Sequence, residues 1–207
     1  ETDMNLQELT AEECLKLPVD ILQWLKKDLN LENVEDQEEL REKFDNFINE
    51  EFSIFYHDGD YSGEVFDFDQ EGGFVIVNGN VNAGKSTAFY GITIAYITGS
   101  VITNNFVTQD SIIIINGDVT VNENLIISDS STYLEIKGKL DTKNVINQIP
   151  DADSAERIKI GTIGHYENVY FSENSYGQMG SKELLEKIGF SDAKELDEMT
   201  DIWKAVY

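Results

Sequence analysis

The sequence predicts a mainly β protein: a β-helix, or β-solenoid, of about four to five coils with α-helical segments at both ends. Two observations predict this fold. In the middle of the chain, a short phrase recurs in which a glycine has polar neighbours and aliphatic residues two positions away on both sides. β-Branched runs separate these glycines, whereas helical periodicity is confined to the two ends of the chain.

The repeat is carried by four glycines, Gly79, Gly99, Gly117 and Gly138, with spacings of 20, 18 and 21 residues. A weaker fifth copy is centred on Gly63. About twenty residues per repeat are typical of one coil of a solenoid, which buries its apolar row by stacking on the next coil. We expect glycine at each bend because it adopts backbone angles that are closed to other residues.

The N-terminal region, residues 1-51, is predicted to be a helical cap. Thr10 with Glu13 three residues later is typical of a helix start, and Pro18 interrupts the apolar pattern that follows. A second helical pattern begins at about Asp36 and continues to Glu51.

The solenoid is assigned to residues 52-149, and residues 150-207 to closing strands and a C-terminal helical cap. One or two closing strands are expected between Ile158 and Phe171, with Gly161 out of phase with the repeat. A helix is predicted from Ser181 to Gly189, and a last one over residues 191-206. We expect one structural unit in which the helices cover the open ends of the solenoid, because unpaired strand edges would template polymerisation.

Charge defines the partners that the chain can have. The net charge is -25, from 40 acidic and 15 basic side chains, and 15 of the acidic residues lie between Glu32 and Glu71. Such a surface repels nucleic acid and anionic membranes and attracts basic proteins, so we expect a basic protein partner, no nucleic acid and no membrane. The absence of a long apolar run or a secretion signal, and the single Cys14, favour a cytoplasmic protein.

One enzyme motif is present. Gly79 to Ser86 matches the phosphate-binding loop pattern G-x-x-x-x-G-K-[ST], in which Lys85 would reach the terminal phosphates of a nucleotide. A working loop requires a helix to begin at Ser86 and Thr87, but the residues after Thr87 are typical of a strand. We therefore interpret the match as fortuitous and predict that the chain is not an enzyme.

A partial calcium-loop pattern spans Asp58 to Asp69, with carboxylates at its first, third and twelfth places. No outgoing helix has room to follow it, so an acidic β-turn is the preferred interpretation. The two histidines, His57 and His165, have no Cys or His at ligand spacing. We therefore assign no catalytic residue, no metal ligand and no cofactor.

The coils from Gly79 to Leu140 resemble those of bactofilin-like cytoskeletal β-helices in length and in their glycine bends. That resemblance implies a structural, self-assembling protein, although the long helical flanks depart from the family. In type alone, as a small, strongly acidic, single-domain chain, the protein also resembles bacterial immunity proteins that neutralise interbacterial toxins. The second resemblance implies toxin binding and assigns no residue.

The function predicted from these observations is an acidic protein-binding module. Its most concrete form is a cytoplasmic immunity protein or inhibitor of a basic toxin, for which a nuclease is the natural target class. The candidate contacts are Glu64, Asp67 and Asp69, because strand alternation places Phe66 and Phe68 on the opposite face. The alternatives are a structural or self-assembling β-solenoid and, second, a phosphate-loop nucleotide-binding enzyme.

Overall fold

The chain winds into a β-solenoid of about 6 coils in a computed structural model, which describes residues 6–50, 52–69, 72–129, 131–171 and 180–196. The predicted fold is confirmed, with slightly more coils than expected. In chain order the elements are β1 (Gln7–Glu8), α1 (Ala11–Cys14), α2 (Val19–Asp28), α3 (Gln37–Asn49), β2 (Ile54–Asp58), β3 (Tyr61–Asp69), β4 (Gly73–Asn78), β5 (Val81–Tyr90), β6 (Thr93–Ile97), β7 (Val101–Gln109), β8 (Ser111–Ile115), β9 (Val119–Ser128), β10 (Tyr133–Asn147), a 3-10 helix (Ala152–Arg157), β11 (Ile158–Ile163), β12 (Asn168–Phe171), α4 (Lys182–Ile188) and β13 (Lys194–Glu195).

Two columns of parallel strands build the coils. The first sheet contains β2, β4, β6, β8, the start of β10 and β11, and the second contains β3, β5, β7, β9, the end of β10 and β12. In the second column the strand register shifts at the same level of successive coils, between Gly63 and Val65 in β3 and between Thr103 and Asn105 in β7. This irregularity divides each strand into a short arm and a long arm, so that a coil has three straight sides.

The interior is filled by stacked rows of like side chains, because parallel strands in register place equivalent residues above one another. In the first sheet, the inward row comprises Val75, Ala95, Ile113, Leu134 and Ile158, all almost fully buried. In the long arms the ring of Phe89 lies between those of Phe66 and Phe106, with ring centroids 5.9 and 6.1 Å apart, although the register places Phe89 in the row beside the one that Phe66 and Phe106 share. Burying these rows supplies the main favourable free energy of the fold.

The N-terminal helices begin as predicted but lie elsewhere than expected. Thr10 and Glu13 form a reciprocal capping box at the start of α1, and the Asp36 side chain caps α3. Rather than covering the end of the solenoid, the helices pack on the outer face of the first sheet, where they bury Ile54, Phe74 and Tyr96 from three successive coils. The sheet requires this cover because its strands are apolar on both faces.

Within residues 6–50, only a short stretch reaches the edge of the first coil. β1 pairs antiparallel with β2, and the Leu9 amide donates to the Ile54 carbonyl at 2.8 Å. The described residues 6–50 therefore mainly cover one side of the solenoid.

The C-terminal helix α4 does cover an end. The Ser181 hydroxyl caps it by accepting from the Leu184 amide, and Gly189 ends it with a left-handed φ of 105°. Leu184 and Leu185 are buried in the same cluster as the interior rows. The helix expected over residues 191-206 is not formed by residues 191–196, which include β13, and its remaining part lies outside the described residues.

The glycine column is longer than predicted. A Cβ built on Gly79 would lie 2.3 Å from the Gly59 carbonyl oxygen, and the same close approach continues up the column to Gly161, whose Cβ would lie 2.2 Å from the Lys137 oxygen. Gly59, not Gly63, is therefore the bend of the first coil, and Gly161 belongs to the column rather than falling out of phase.

The reason for glycine also differs from the expected one. Of the six bend glycines only Gly59 has a positive φ, of 104°. From Gly79 onward the bends exclude a side chain because each coil's backbone lies directly against the coil before it. Gly59 has no atom within 4 Å of its Cβ position, since no coil precedes it.

Candidate functional site

The phosphate-loop motif is spread over a bend and a strand. Gly79 is a bend glycine, and Gly84, Lys85, Ser86 and Thr87 all lie within β5, which is paired on both sides by β3 and β7. Because Ser86 and Thr87 are in a strand, they do not present the cluster of free backbone amides with which a helix start holds phosphate. The predicted strand after Thr87 is confirmed, and Gly79 to Ser86 does not have the phosphate-loop conformation.

The calcium-loop pattern is likewise extended. Asp58 ends β2, Gly59 and Asp60 form the bend, and the remaining residues run along β3 as far as Asp69. An extended strand separates the first and last carboxylates of the pattern instead of wrapping them round one point. Among the described residues no group of three or more His, Cys, Asp or Glu side chains is placed to hold a metal ion.

The predicted partner-binding residues lie on the edge strand β3. Phe66 and Phe68 are buried in the core, and Asp67 is exposed, as the alternation predicts. Glu64 is also exposed, but it has the same parity as the two phenylalanines and faces outward because it lies at the register shift between Gly63 and Val65. Asp69 ends the same strand, but its side chain lies outside the described residues. Within the described part of the chain β3 pairs with β5 alone, so its other edge carries backbone amides and carbonyls that no described strand engages.

A polar ladder runs along the bends, one residue after each glycine. Asp60 Oδ1 accepts from the Asn80 amide at 2.7 Å, Asn80 Oδ1 accepts from the Ser100 amide at 2.8 Å, and Asp118 Oδ1 accepts from the Lys139 amide at 2.7 Å. The Ser100 hydroxyl accepts from the Asp118 amide at 3.1 Å. Each side chain therefore satisfies a backbone amide of the next coil, which holds the bends in register.

A second ladder follows the corner between the short and long arms. The Asn124 amide group donates to Asn105 at 2.9 Å, Asn144 donates to Asn124 at 3.1 Å, and Asn168 donates to Asn144 at 3.0 Å. Amide side chains at successive coils hydrogen-bond to one another, so their polar groups have partners at the positions where the corner is shielded from solvent. Neither ladder was predicted, although asparagine at a fixed place in successive repeats is a signal that the sequence contains.

Two of the three outer sides of the solenoid are covered. Helices cover the first sheet over its first three coils, and on the long arms Ala88, Val107, Ile126 and Ile146 form a buried outer row against which Leu196 packs. The side formed by the short arms is different, because Asn82 and Asn104 are exposed and Ile102 is 48% exposed. We call this side, with its bend and its corner, the short-arm face.

Three outward rows make up the short-arm face, each with one position per coil from the first coil to the fifth. The bend row is Asp60, Asn80, Ser100, Asp118 and Lys139; the middle row is Ser62, Asn82, Ile102, Thr120 and Asp141; and the corner row is Glu64, Gly84 with Lys85, Asn104, Asn122 with Glu123, and Lys143. The bend row and the corner row each begin with a carboxylate in the first coil and end with a lysine in the fifth.

Basic residues are also concentrated towards the C-terminal end of the solenoid. Coils one to four, residues 52–129, contain a single basic residue, Lys85. Eight of the chain's basic residues fall between 137 and 194: Lys137, Lys139, Lys143, Arg157, Lys159, Lys182, Lys187 and Lys194. The acidic end of the solenoid is therefore the end where β3 presents its open edge. The acidic segment can be located by counting charges in the sequence, but its position along the solenoid axis can be assigned only when the order of the coils is known.

Cys14 and the two histidines lie at three separate places in the fold. Cys14 of α1 is fully buried among the N-terminal helices, and burial raises the pKa of its thiol to about 12. His57 and His165 lie at different coils, 3.3 Å from the Asp60 carbonyl oxygen and 3.9 Å from Glu167, respectively. No helix among the described residues is long and apolar enough to cross a membrane.

Comparison of the chain with protein-family models, with curated proteins and with solved structures gives no significant match.

Proposed function

We propose that this protein is an acidic protein-binding module whose first coil binds a basic partner. In its most concrete form it is a cytoplasmic immunity protein or inhibitor that neutralises a basic toxin domain, with nucleases as the natural target class. The observation that supports the proposal best is the acidic edge strand β3, where exposed Glu64 and Asp67 flank a backbone edge that no described strand pairs.

The binding mechanism has two parts. The net charge of -25, densest at the β3 end, attracts a basic surface and raises the rate of encounter. The open edge of β3 then offers backbone donors and acceptors to an extended segment of the partner, and the carboxylates beside it pair with lysine or arginine. The stacked interior makes the platform rigid, which lowers the entropy lost on binding.

The test begins with the reading frame immediately upstream, which should encode a large secreted protein with a basic C-terminal domain. Cells that produce that domain should survive only when they also produce this chain. The variants Glu64→Lys and Asp67→Lys should lose protection and weaken binding about tenfold or more. Glu156→Lys, with the same change in net charge at the other end of the solenoid, should keep both.

Salt dependence provides a second measurement on the purified complex. The association rate should fall steeply as ionic strength rises, because exposed charges are screened beyond about 8 Å at physiological salt. A rate that does not change with salt, or equal effects of Glu64→Lys and Glu156→Lys, would exclude binding by the acidic end.

The second candidate function is a structural, self-assembling solenoid, which the repeated coils favour. End-to-end assembly requires two open ends, whereas Leu184 and Leu185 of α4 occupy the interior at the C-terminal end. A filament would have to displace that helix. Large species in sedimentation at micromolar concentration would support this alternative over the binding module.

A further inference from the structure

The charges on the short-arm face are complementary to those of the same face with its coil order reversed. Along the corner row the charges run negative at Glu64, positive at Lys85, neutral at Asn104, negative at Glu123 and positive at Lys143. In reverse order every charge meets its opposite: Glu64 meets Lys143, Lys85 meets Glu123, and Asn104 meets itself.

The other two rows agree with this pattern. In the bend row the end positions, Asp60 and Lys139, are opposite in sign, and Asp118 of the fourth coil meets the neutral Asn80 of the second. In the middle row the central position is Ile102, a large apolar side chain that is 48% exposed. The pairing therefore places an apolar contact at its centre and ion pairs at its two ends.

We propose that the short-arm face binds the same face of a second copy of this chain, with the two solenoid axes antiparallel, about a two-fold axis that runs parallel to the short-arm strand of the third coil. This axis keeps each row opposite itself and reverses the coil order, so each Glu64 faces the partner copy's lysine at position 143 and each Ile102 contacts its equivalent. A parallel arrangement is disfavoured because it would place the acidic first coils of both copies together.

The expected dimer is weak. Five coils about 4.8 Å apart and a width of about 13 Å give a footprint far below the ~800 Å² per partner of a standard stable interface. Lys139 and Lys143 already contact Asp141 at 2.6 Å and Glu123 at 3.0 Å within their own chain, so both must share their remaining donors. The net charge of -25 on each copy opposes approach until salt screens it.

The central contact is tested by sedimentation of the chain alone, from about 10 μM to about 1 mM at 0.15 M salt. Wild-type protein should show a concentration-dependent monomer–dimer equilibrium. Ile102→Lys should lower the association constant about tenfold or more, because it brings two like charges together at the axis. Ile92→Lys is the matched control: Ile92 is 62% exposed but lies outside the short-arm face, so the constant should change less than about twofold.

The ion pairs are tested by charge exchange. Glu64→Lys alone and Lys143→Glu alone should each weaken self-association, since each places like charges together twice. An equimolar mixture should recover wild-type association within about threefold, because each new lysine then faces a new glutamate. Recovery in the mixture cannot arise from damage to folding.

A cross-link gives the geometry directly. Ile102→Cys should form an intermolecular disulfide on mild oxidation, whereas Ile92→Cys should not; the native Cys14 is buried and does not compete. A chain that stays monomeric up to about 1 mM, equal effects of Ile102→Lys and Ile92→Lys, or a mixture without recovery would overturn the proposal. Because these measurements need no other protein, they leave the proposed function untouched.

Discussion

Trp24 of α2 stacks on Tyr96 of β6 with ring centroids 4.4 Å apart and ring planes 8° from parallel. The same indole meets Phe74 of the preceding coil edge to face at 6.4 Å. One residue thus joins the N-terminal helices to two successive coils. This contact shows how the helices are fixed to the side of the solenoid.

Trp24→Ala should lower the free energy of unfolding by about 2 kcal/mol, because it removes a partly buried aromatic ring and uncovers Tyr96 and Phe74. The measurement is urea denaturation followed by circular dichroism. Val19→Ala is the control in the same helix: Val19 is 72% exposed and its loss should change stability by less than about 0.5 kcal/mol. Equal effects would mean that α2 is not held by this stack.

Gly99→Ala should destabilise the protein by about 3 kcal/mol, since the new Cβ would lie 2.5 Å from the Gly79 carbonyl oxygen and would force the coils apart. Gly84→Ala is the control, because its Cβ would meet the Glu64 carboxylate at an ordinary 3.5 Å and its φ is not positive. That variant should be unchanged or stabilised by about 0.5 kcal/mol. Thermal and urea unfolding of both variants distinguish coil stacking from a general need for glycine.

Saturating magnesium with ATP or GTP should leave the thermal midpoint unchanged, because a ligand that binds the folded state would raise it. Lys85→Ala should unfold at the wild-type temperature, since Lys85 is an exposed residue within β5. Magnesium alone is the control. A nucleotide-dependent rise that Lys85→Ala abolishes would restore the nucleotide-binding interpretation.

Cys14 should make the stability fall with rising pH. Its pKa is raised from 9.0 to about 12 in the folded protein by burial, so above pH 9 the unfolded chain loses this proton first. The stability present below pH 9 is therefore lost as the pH rises, by about 2 kcal/mol at pH 10.5. Cys14→Ala should flatten this slope in urea titrations between pH 8 and 11, whereas the titration of the other groups is common to both proteins.

The sequence predicted the central coils because their flanking aliphatic residues are regular, and it failed at the two end coils for one physical reason. Gly59 has His57 two residues before it and Gly161 has Lys159, so neither matches the repeat. End coils stack on one neighbour only, and their rows need not be aliphatic on both sides. Gly63 has apolar flanks, Tyr61 and Val65, by coincidence, and it pairs with Ala83 inside a strand.

The candidate site could be predicted only in part. Alternation along β3 correctly separated Asp67 from Phe66 and Phe68. Glu64 has the same parity as the two phenylalanines, and it faces outward because of a register shift that alternation does not predict. The placement of Glu64 and Lys143 at opposite ends of one row could not be predicted, because 79 residues separate them and the coil lengths must be known to align them. The side position of the helices was also missed, since an amphipathic helix does not show which apolar surface it will cover.

The ladder from Asp60 to Lys139 also has a direction. Its first four side chains each accept from an amide of the coil that follows, 18 to 21 residues later in the chain. During synthesis, a coil that has left the ribosome therefore presents the acceptor before its donor has been made. The bends can close one after another from the N-terminus, and each completed coil is the template on which the next is laid down.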